Sequence, residues 1–204
     1  MPAQVTKHNL DIGIQPRHLK VGMKAQDTSE LFFHDVKIPK ENVLGAPDGG
    51  FKVMMGNLAE ERIVNSVGNL TMAERAFQVT LEFIKDRRAF GRPIGTFQNS
   101  RFVMADIRAR LDAAWALLDH CAKAHIKGEL SSELAASIKL VSSELVCEVA
   151  DSGVQLHGGA GYMDEYEISR IYRDTRIARI YAGSSEIMKE IIGRGLGLDD
   201  RKRN

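Results

Sequence analysis

Four short stretches of this 204-residue sequence combine residue types that can do chemistry. Glu60-Glu61-Arg62 lies among apolar residues with helical spacing, and neighbours on a helix differ by about 100° around its axis. The two carboxylates therefore cannot share one direction. Either both belong to a solvated charge cluster, or one turns toward the core, where burial raises a carboxyl pKa and makes a base near neutral pH. Arg87-Arg88-Ala89-Phe90-Gly91-Arg92-Pro93 follows a long apolar pattern. Cations there either complement a helix dipole or offer a guanidinium to a phosphate, with Phe90 free to lie against a ring.

The third stretch is Gln155-Leu156-His157-Gly158-Gly159-Ala160-Gly161-Tyr162, with three glycines in four positions. Glycine permits positive φ and close approach of backbone to a ligand. No Gly-Lys-Ser/Thr follows and no strand precedes, so it is neither a phosphate loop nor a dinucleotide turn. A helix-to-helix turn and a backbone cradle both stay open. The fourth, Tyr181-Ala182-Gly183-Ser184-Ser185-Glu186, places Ser184 as an N-cap. That helix start is either a plain cap or free N–H groups turned to an anion or polar oxygen.

These stretches need a scaffold. An apolar fraction of 44% and a charged fraction of 27% suit a globular chain that can bury its own core without a metal or disulfide staple. A net charge of +1, with basic residues spread along the chain, speaks against nucleic acid or an anionic membrane as the main partner. Cys121 and Cys147 lie in helical patterns and read as buried thiols. No apolar run reaches the ~20 residues of a membrane span, and the start lacks a signal-peptide layout. A soluble intracellular protein, in a bacterial cytoplasm or a mitochondrial matrix, is expected.

Residues 1–48 hold four of the five prolines, and Leu31–Ile38 has the branched and aromatic make-up of a strand ending at Pro39. One or two strands make no stable sheet. The segment is read as the last strands of an incomplete β domain, and residues 49–204 as a helical one. From Gly50 to about Phe90 the stripe Phe51, Met55, Leu58, Ile63, Val67, Leu70, Phe77, Leu81, Ile84 predicts one long helix. A second, from about Thr96 to Lys127, carries Val103, Ile107, Leu111, Ala114, Leu118, Cys121 and His125, and Gly128 closes it. Ser131 caps a third, with Leu134, Ile138, Val141, Leu145 and Val149 on its stripe. Shorter helices follow near 165–179 and 184–194, and the tail from Asp199 is expected to fray. The prediction is a mainly α fold: an antiparallel four-helix-type bundle behind a β remnant.

In order and spacing, the four stretches together with Leu19–Lys24 and Gln26–Phe33 resemble the acyl-CoA dehydrogenases, over nearly the whole chain. The likeness is greatest to the long-chain type, with the isovaleryl type as a cousin. It implies FAD as cofactor, held by Arg87, Phe90 and Gln98 at the pyrophosphate and adenosine. Gln155, Gly158 and Gly159 would hold the adenine side across a subunit contact, and Ser184 and Glu186 would touch FAD at the last helix. Arg62 and Tyr181 would border the acyl-CoA channel, with the Gly183 backbone near the substrate.

Many family members carry the catalytic glutamate at the position of Ala182, which cannot take a proton. The long-chain and isovaleryl types place the base on the first bundle helix, just before an arginine, and Glu61 fits there. The resemblance thus implies that Glu61 removes the α-proton of the thioester while the β-hydrogen leaves as hydride. The Ala182 N–H would stabilise the developing enolate oxygen. It further implies an electron-transferring flavoprotein as acceptor, a dimer or tetramer formed through the bundle, and no metal. Family members also have an N-terminal helical domain and earlier β strands, so a partial chain, inactive alone, is expected. Two rivals keep the fold: an acyl-CoA oxidase, and a non-catalytic oligomerisation or assembly subunit. An unrelated helical binding module leaves the ordered motifs unexplained.

Overall fold

The computed structural model describes residues 12–14 and 18–199, and the tail expected to fray lies beyond them from residue 200. The chain forms two compact units, the first ending at Asn57 and the second beginning at Leu58. In the first, β1 (Ile12–Ile14) pairs antiparallel with β2 (Leu31–Phe33), Ile12 opposite Phe33. The strand expected over Leu31–Ile38 stops after three residues. Asp35 takes φ +47°, which an extended strand cannot accommodate. Leu31, Phe32 and Phe33 are all exposed, so the predicted two-faced alternation is not seen in this chain.

The single helix predicted from Gly50 is two helices, α1 (Gly50–Gly56) and α2 (Leu58–Asp86). Gly56 and Asn57 are weak helix formers, and the Asn57 N–H is shared between the carbonyls of Met54 and Met55. Phe51 and Met55, counted on the buried stripe, are exposed.

The second unit is the bundle. After α2 come a tight hairpin of β3 (Arg88–Ala89) and β4 (Arg92–Pro93), α3 (Gln98–Ile126) and α4 (Ser132–His157). α5 (Glu167–Thr175) and α6 (Ser185–Gly195) follow. The start and stop signals act as predicted. Gly128 takes φ +72° beyond α3, with its N–H on the His125 carbonyl and that of Glu129 on the Ala124 carbonyl, a Schellman pair. The Ser131 hydroxyl accepts from the Leu134 N–H at 3.1 Å. No helix among the described residues is long and apolar enough to cross a membrane.

α4 is the hub, packing against α2 most extensively and also against α3, α5 and α6. A helix covered from several sides buries more than one stripe. Ala135, Ala136, Lys139, Ser142, Ser143 and Val146 are all buried, whereas Val141 of the predicted stripe faces outward. Val67 of α2 and His125 of α3 are likewise exposed. Leu70, Leu111, Ile138, Leu145, Val149 and Ile168 make up the apolar centre. Ion pairs lace the surface: Arg75 to Glu167 at 2.6 Å joins α2 to α5, and Arg108 to Glu74 at 2.6 Å joins α3 to α2. Exposed pairs of this kind contribute roughly 0–1 kcal/mol each.

Close approach of α4 depends on Gly153. A Cβ there would lie 2.6 Å from Ile168 Cδ1 and 2.8 Å from Thr80 Oγ1. Gly153→Ala is expected to destabilise the bundle by about 1–3 kcal/mol through overpacking, despite alanine's better helix propensity. Urea unfolding monitored by far-UV circular dichroism checks this; an unchanged or higher midpoint contradicts it.

Candidate active site

The candidate residues fall into two clusters at opposite ends of α2 and α4. Lys139 and His157, which mark the two ends on α4, are about 27 Å apart along that helix.

At one end lie Glu61, Arg62 and the loop from Ala178 to Glu186. The core-facing positions of α2 here are Arg62, Ile63, Ser66, Asn69 and Leu70. Glu60 and Glu61 are both exposed in this chain, so the reading that one carboxylate turns into the core is corrected. The buried charge is the next residue. Arg62 is 8% exposed, and its Nε has no hydrogen-bond partner among the described residues. Burial lowers its pKa, while the charge of Glu61 raises it.

Opposite Arg62 sits a residue that the apolar stripes passed over. Lys139 is 0% exposed, and its ammonium donates to the carbonyl of Ala178 at 2.8 Å and to that of Gly183. Burial pushes its pKa down, opposed by Glu144; Arg62 lowers it further, and Cys147 and Glu186 raise it. Arg62 and Glu186 thus both act electrostatically on this buried ammonium. The signal was present in the sequence as a single charge in the run Ala135-Ala136-Ser137-Ile138-Lys139-Leu140-Val141.

The loop itself is sharply bent. α5 continues into a 3-10 turn, Arg176–Arg179, and Ile180 and Tyr181 both donate to the Ile177 carbonyl. Ala182 and Gly183 then take φ +52° and +95°. A Cβ on Gly183 would lie 2.6 Å from Met188 Cε, so glycine is required there by both backbone and space. The N–H of Ala182 makes no hydrogen bond among the described residues. Ser184 caps α6, accepting from the Ile187 N–H at 3.4 Å. Glu186 has its pKa lowered by its own backbone N–H and the Ser184 hydroxyl, then by Lys189 and Lys139. Glu144 of α4 grips the same loop through the Ser185 hydroxyl at 2.5 Å and an ion pair at 2.7 Å to Arg179 Nε, off hydrogen-bonding angle. Tyr181 lies half exposed beside them.

At the other end, the β3–β4 hairpin and the glycine turn meet. His157 stacks on Phe83 with centroids 4.1 Å apart, tying the ends of α2 and α4 together. Phe90 and Gly91 have φ +51° and +82°, a two-residue turn of the mirror-image type that ordinarily takes Asn-Gly. A phenylalanine there is strained, and it is 94% exposed. Arg88 is used to brace the hairpin, donating to the Gly91 carbonyl at 3.1 Å, and Arg92 lies over the Phe97 ring at 4.1 Å. Arg87 is exposed and unpaired among the described residues, and Gln98 and Gln155 are exposed as well. Below the hairpin an apolar hollow of about 400 Å³ is walled by Leu81, Ile84, Pro93 and Met104.

The three glycines separate by role. Gly158, at φ +61°, lets α4 stop. At Gly161 a Cβ would lie 2.6 Å from the Val154 carbonyl oxygen, a packing constraint. Gly159 has open space where its Cβ would be and is exposed, leaving its backbone available to a ligand.

His157 itself is buried, with Nδ1 2.7 Å from the Gly153 carbonyl. Burial lowers its pKa, against the opposing effect of that hydrogen bond. The folded chain therefore takes up this proton less readily than the unfolded chain does. Stability is expected to be retained above about pH 6.5, the ordinary imidazole value, and to fall as pH drops below it. His157→Gln should flatten that part of the acid-side decline in a pH series of thermal melts; an unaltered slope would assign it elsewhere.

The family model described as "Acyl-CoA dehydrogenase, C-terminal domain" matches residues 48–197. The mitochondrial long-chain specific acyl-CoA dehydrogenase of Sus scrofa is 41% identical over 180 residues, which cover 88% of this chain and 42% of that protein. Mitochondrial isovaleryl-CoA dehydrogenase of Pongo abelii is 35% identical over 199 residues, covering 98% and 45%. Among solved structures, the acyl-CoA dehydrogenase from Geobacillus kaustophilus superposes with a TM-score of 0.91 at 38% identity, covering 94% of this chain and 50% of the other. The chain thus spans less than half the length of these two curated relatives.

Proposed function

We propose, for a chain that belongs to the acyl-CoA dehydrogenase family, that it contributes the base and the enolate-stabilising loop for α,β-dehydrogenation of a fatty acyl-CoA. The observation that carries this reading is that one buried lysine holds the Ala182–Gly183 loop and also feels the charge of Arg62, the residue that follows Glu61. Arg62 shares the field of Lys139, and Lys139 holds the Gly183 carbonyl. A carboxylate next to Arg62 in the chain, together with an N–H at Ala182 unclaimed among the described residues, would pair a base with a donor for the oxygen that gains charge. Exposure of Glu61 in this chain fits an active site whose other walls come from outside the described residues.

FAD suits the residues present. The exposed Arg87 matches a pyrophosphate, and the strained, exposed Phe90 ring and the bare Gly159 backbone match a flat heterocycle. Gln98, Gln155, Ser184 and Glu186 add amide, hydroxyl and carboxylate partners for polar atoms of the cofactor. When bound, the flavin supplies the acceptor for the β-hydride. The distance between the two clusters supports the reading that the Gln155–Gly159 turn serves a cofactor held chiefly by a second copy. A bundle-mediated oligomer is part of this proposal.

Within this proposal Glu61 takes the α-proton, the Ala182 N–H receives the thioester oxygen, and Arg62 and Tyr181 border the acyl channel beside the Gly183 backbone. Arg62 adjoins the base in the chain, and the charge of Glu61 raises the Arg62 pKa against the lowering caused by burial. Electrons then leave to an electron-transferring flavoprotein.

In the whole flavin-loaded enzyme, Glu61→Gln is expected to lower kcat by roughly 10²–10⁴-fold or more while altering KM little. Steady-state turnover of a long-chain acyl-CoA with a flavoprotein acceptor checks this. Undiminished turnover would leave the chain as an assembly subunit, and rapid reoxidation of reduced flavin by air would make it an oxidase instead.

A further inference from the structure

We propose that Lys139 is a positioning residue for the enolate-oxygen donor at Ala182, acting by clamping the two ends of the Ala178–Gly183 loop to one point on α4. The inference rests on the dehydrogenation reading above and deepens it at one residue that the motifs do not include.

The geometry carries the case. One ammonium joins the carbonyls of Ala178 and Gly183, five residues apart in sequence, from a position without solvent exposure. Between those carbonyls lie Arg179, Ile180, Tyr181 and Ala182. The backbone hydrogen bonds of the 3-10 turn stop at Tyr181, whose N–H goes to the Ile177 carbonyl. Ala182 is the first residue past that anchor, and it sits in the left-handed region with no side-chain hydrogen bond to hold it. An alanine at φ +52° persists only where its surroundings over-determine it. Lys139 supplies that constraint from the carbonyl of Gly183, and the Gly183–Met188 contact supplies it from the other side. The direction of the Ala182 N–H is thereby set by a side chain 43 residues earlier in the chain.

The surroundings also explain why a cation is tolerated there. Arg62 repels it, but Glu144 and Glu186 face it from α4 and α6, and two carbonyl dipoles point at it. A buried charge so compensated gives direction and rigidity, which are the properties a preorganised donor needs. Glu144 holds the same loop farther on, through Arg179 and Ser185, so α4 acts as a template for its whole length.

Lys139→Met keeps the bulk of the side chain and removes every donor, and Lys139→Gln returns N–H donors without the charge. In the whole flavin-loaded enzyme two measurements are made on each. The first is hydrogen–deuterium exchange of the segment 180–185; the second is wash-in of solvent deuterium at the substrate α-carbon, alongside kcat and KM. The methionine variant is expected to exchange the segment at least about tenfold faster, with α3 unaltered. It is also expected to lose about 10–100-fold in α-carbon exchange and kcat, with KM within about twofold and partial recovery in the glutamine variant. A loop that exchanges no faster overturns the proposal, as does a faster loop with undiminished α-carbon exchange. A wild-type enzyme that washes no deuterium into the substrate removes the dehydrogenation reading and this inference with it. The wild-type control therefore tells the two failures apart.

Discussion

Two long helices can approach only as closely as the side chains between them permit, and in this bundle that contact is the one every candidate site depends on. Toward the His157 end, α2 offers Ala73, Ala76 and Thr80, and α4 offers Ala150 and Gly153. Small residues let the backbones close, so that Phe83 and His157 can stack and bring the hairpin beside the glycine turn. Toward the other end the same two helices carry buried polar groups: Arg62, Ser66 and Asn69 on α2, and Lys139, Ser142 and Ser143 on α4. Polar atoms withdrawn from water must find partners, and most do so locally. Ser66 bonds back to the Arg62 carbonyl at 2.7 Å, and Asn69 reaches Ser142 at 3.3 Å. One long interface is thus apolar and tight at one end, and polar at the other.

This division explains where chemistry can reside. The apolar end sets position: it fixes the hairpin and the turn as rigid edges that present exposed groups outward. The polar end leaves Arg62 Nε without a hydrogen-bond partner among the described residues. Uncompensated buried polarity is costly in a purely structural role. In this chain it accompanies a bent loop whose conformation L-residues seldom adopt. The loop has little regular structure of its own between the 3-10 turn and α6. Its shape comes from α4, through Lys139 and Glu144.

Family membership and helical architecture were legible because each rests on local pattern. Apolar spacing predicted α3 and α4 to within a few residues and carried the first helix across the break at Asn57. Gly128, Ser131 and Ser184 marked ends that the backbone then formed by the expected bonds. The break at Asn57 and the early end of β2 were not legible. Each depends on how one residue's backbone conformation competes with a periodic pattern that continues past it. Stripes were least informative on α4, since a central helix is buried on several sides and small or polar residues enter its core.

By itself the sequence determined the helices, their caps, the order of the four motifs and the substitution of alanine at position 182. These follow from residue type and spacing along one chain. Tertiary structure alone decided that Glu61 is solvent-facing while Arg62 is buried. It also decided that the motifs divide between two ends of the bundle, and that a lysine within an apolar run anchors the loop carrying Ala182. Those facts turn on the rotation of α2 and α4 about their axes and on which faces meet. Helical periodicity leaves that rotation open wherever apolar and small residues cover more than one side.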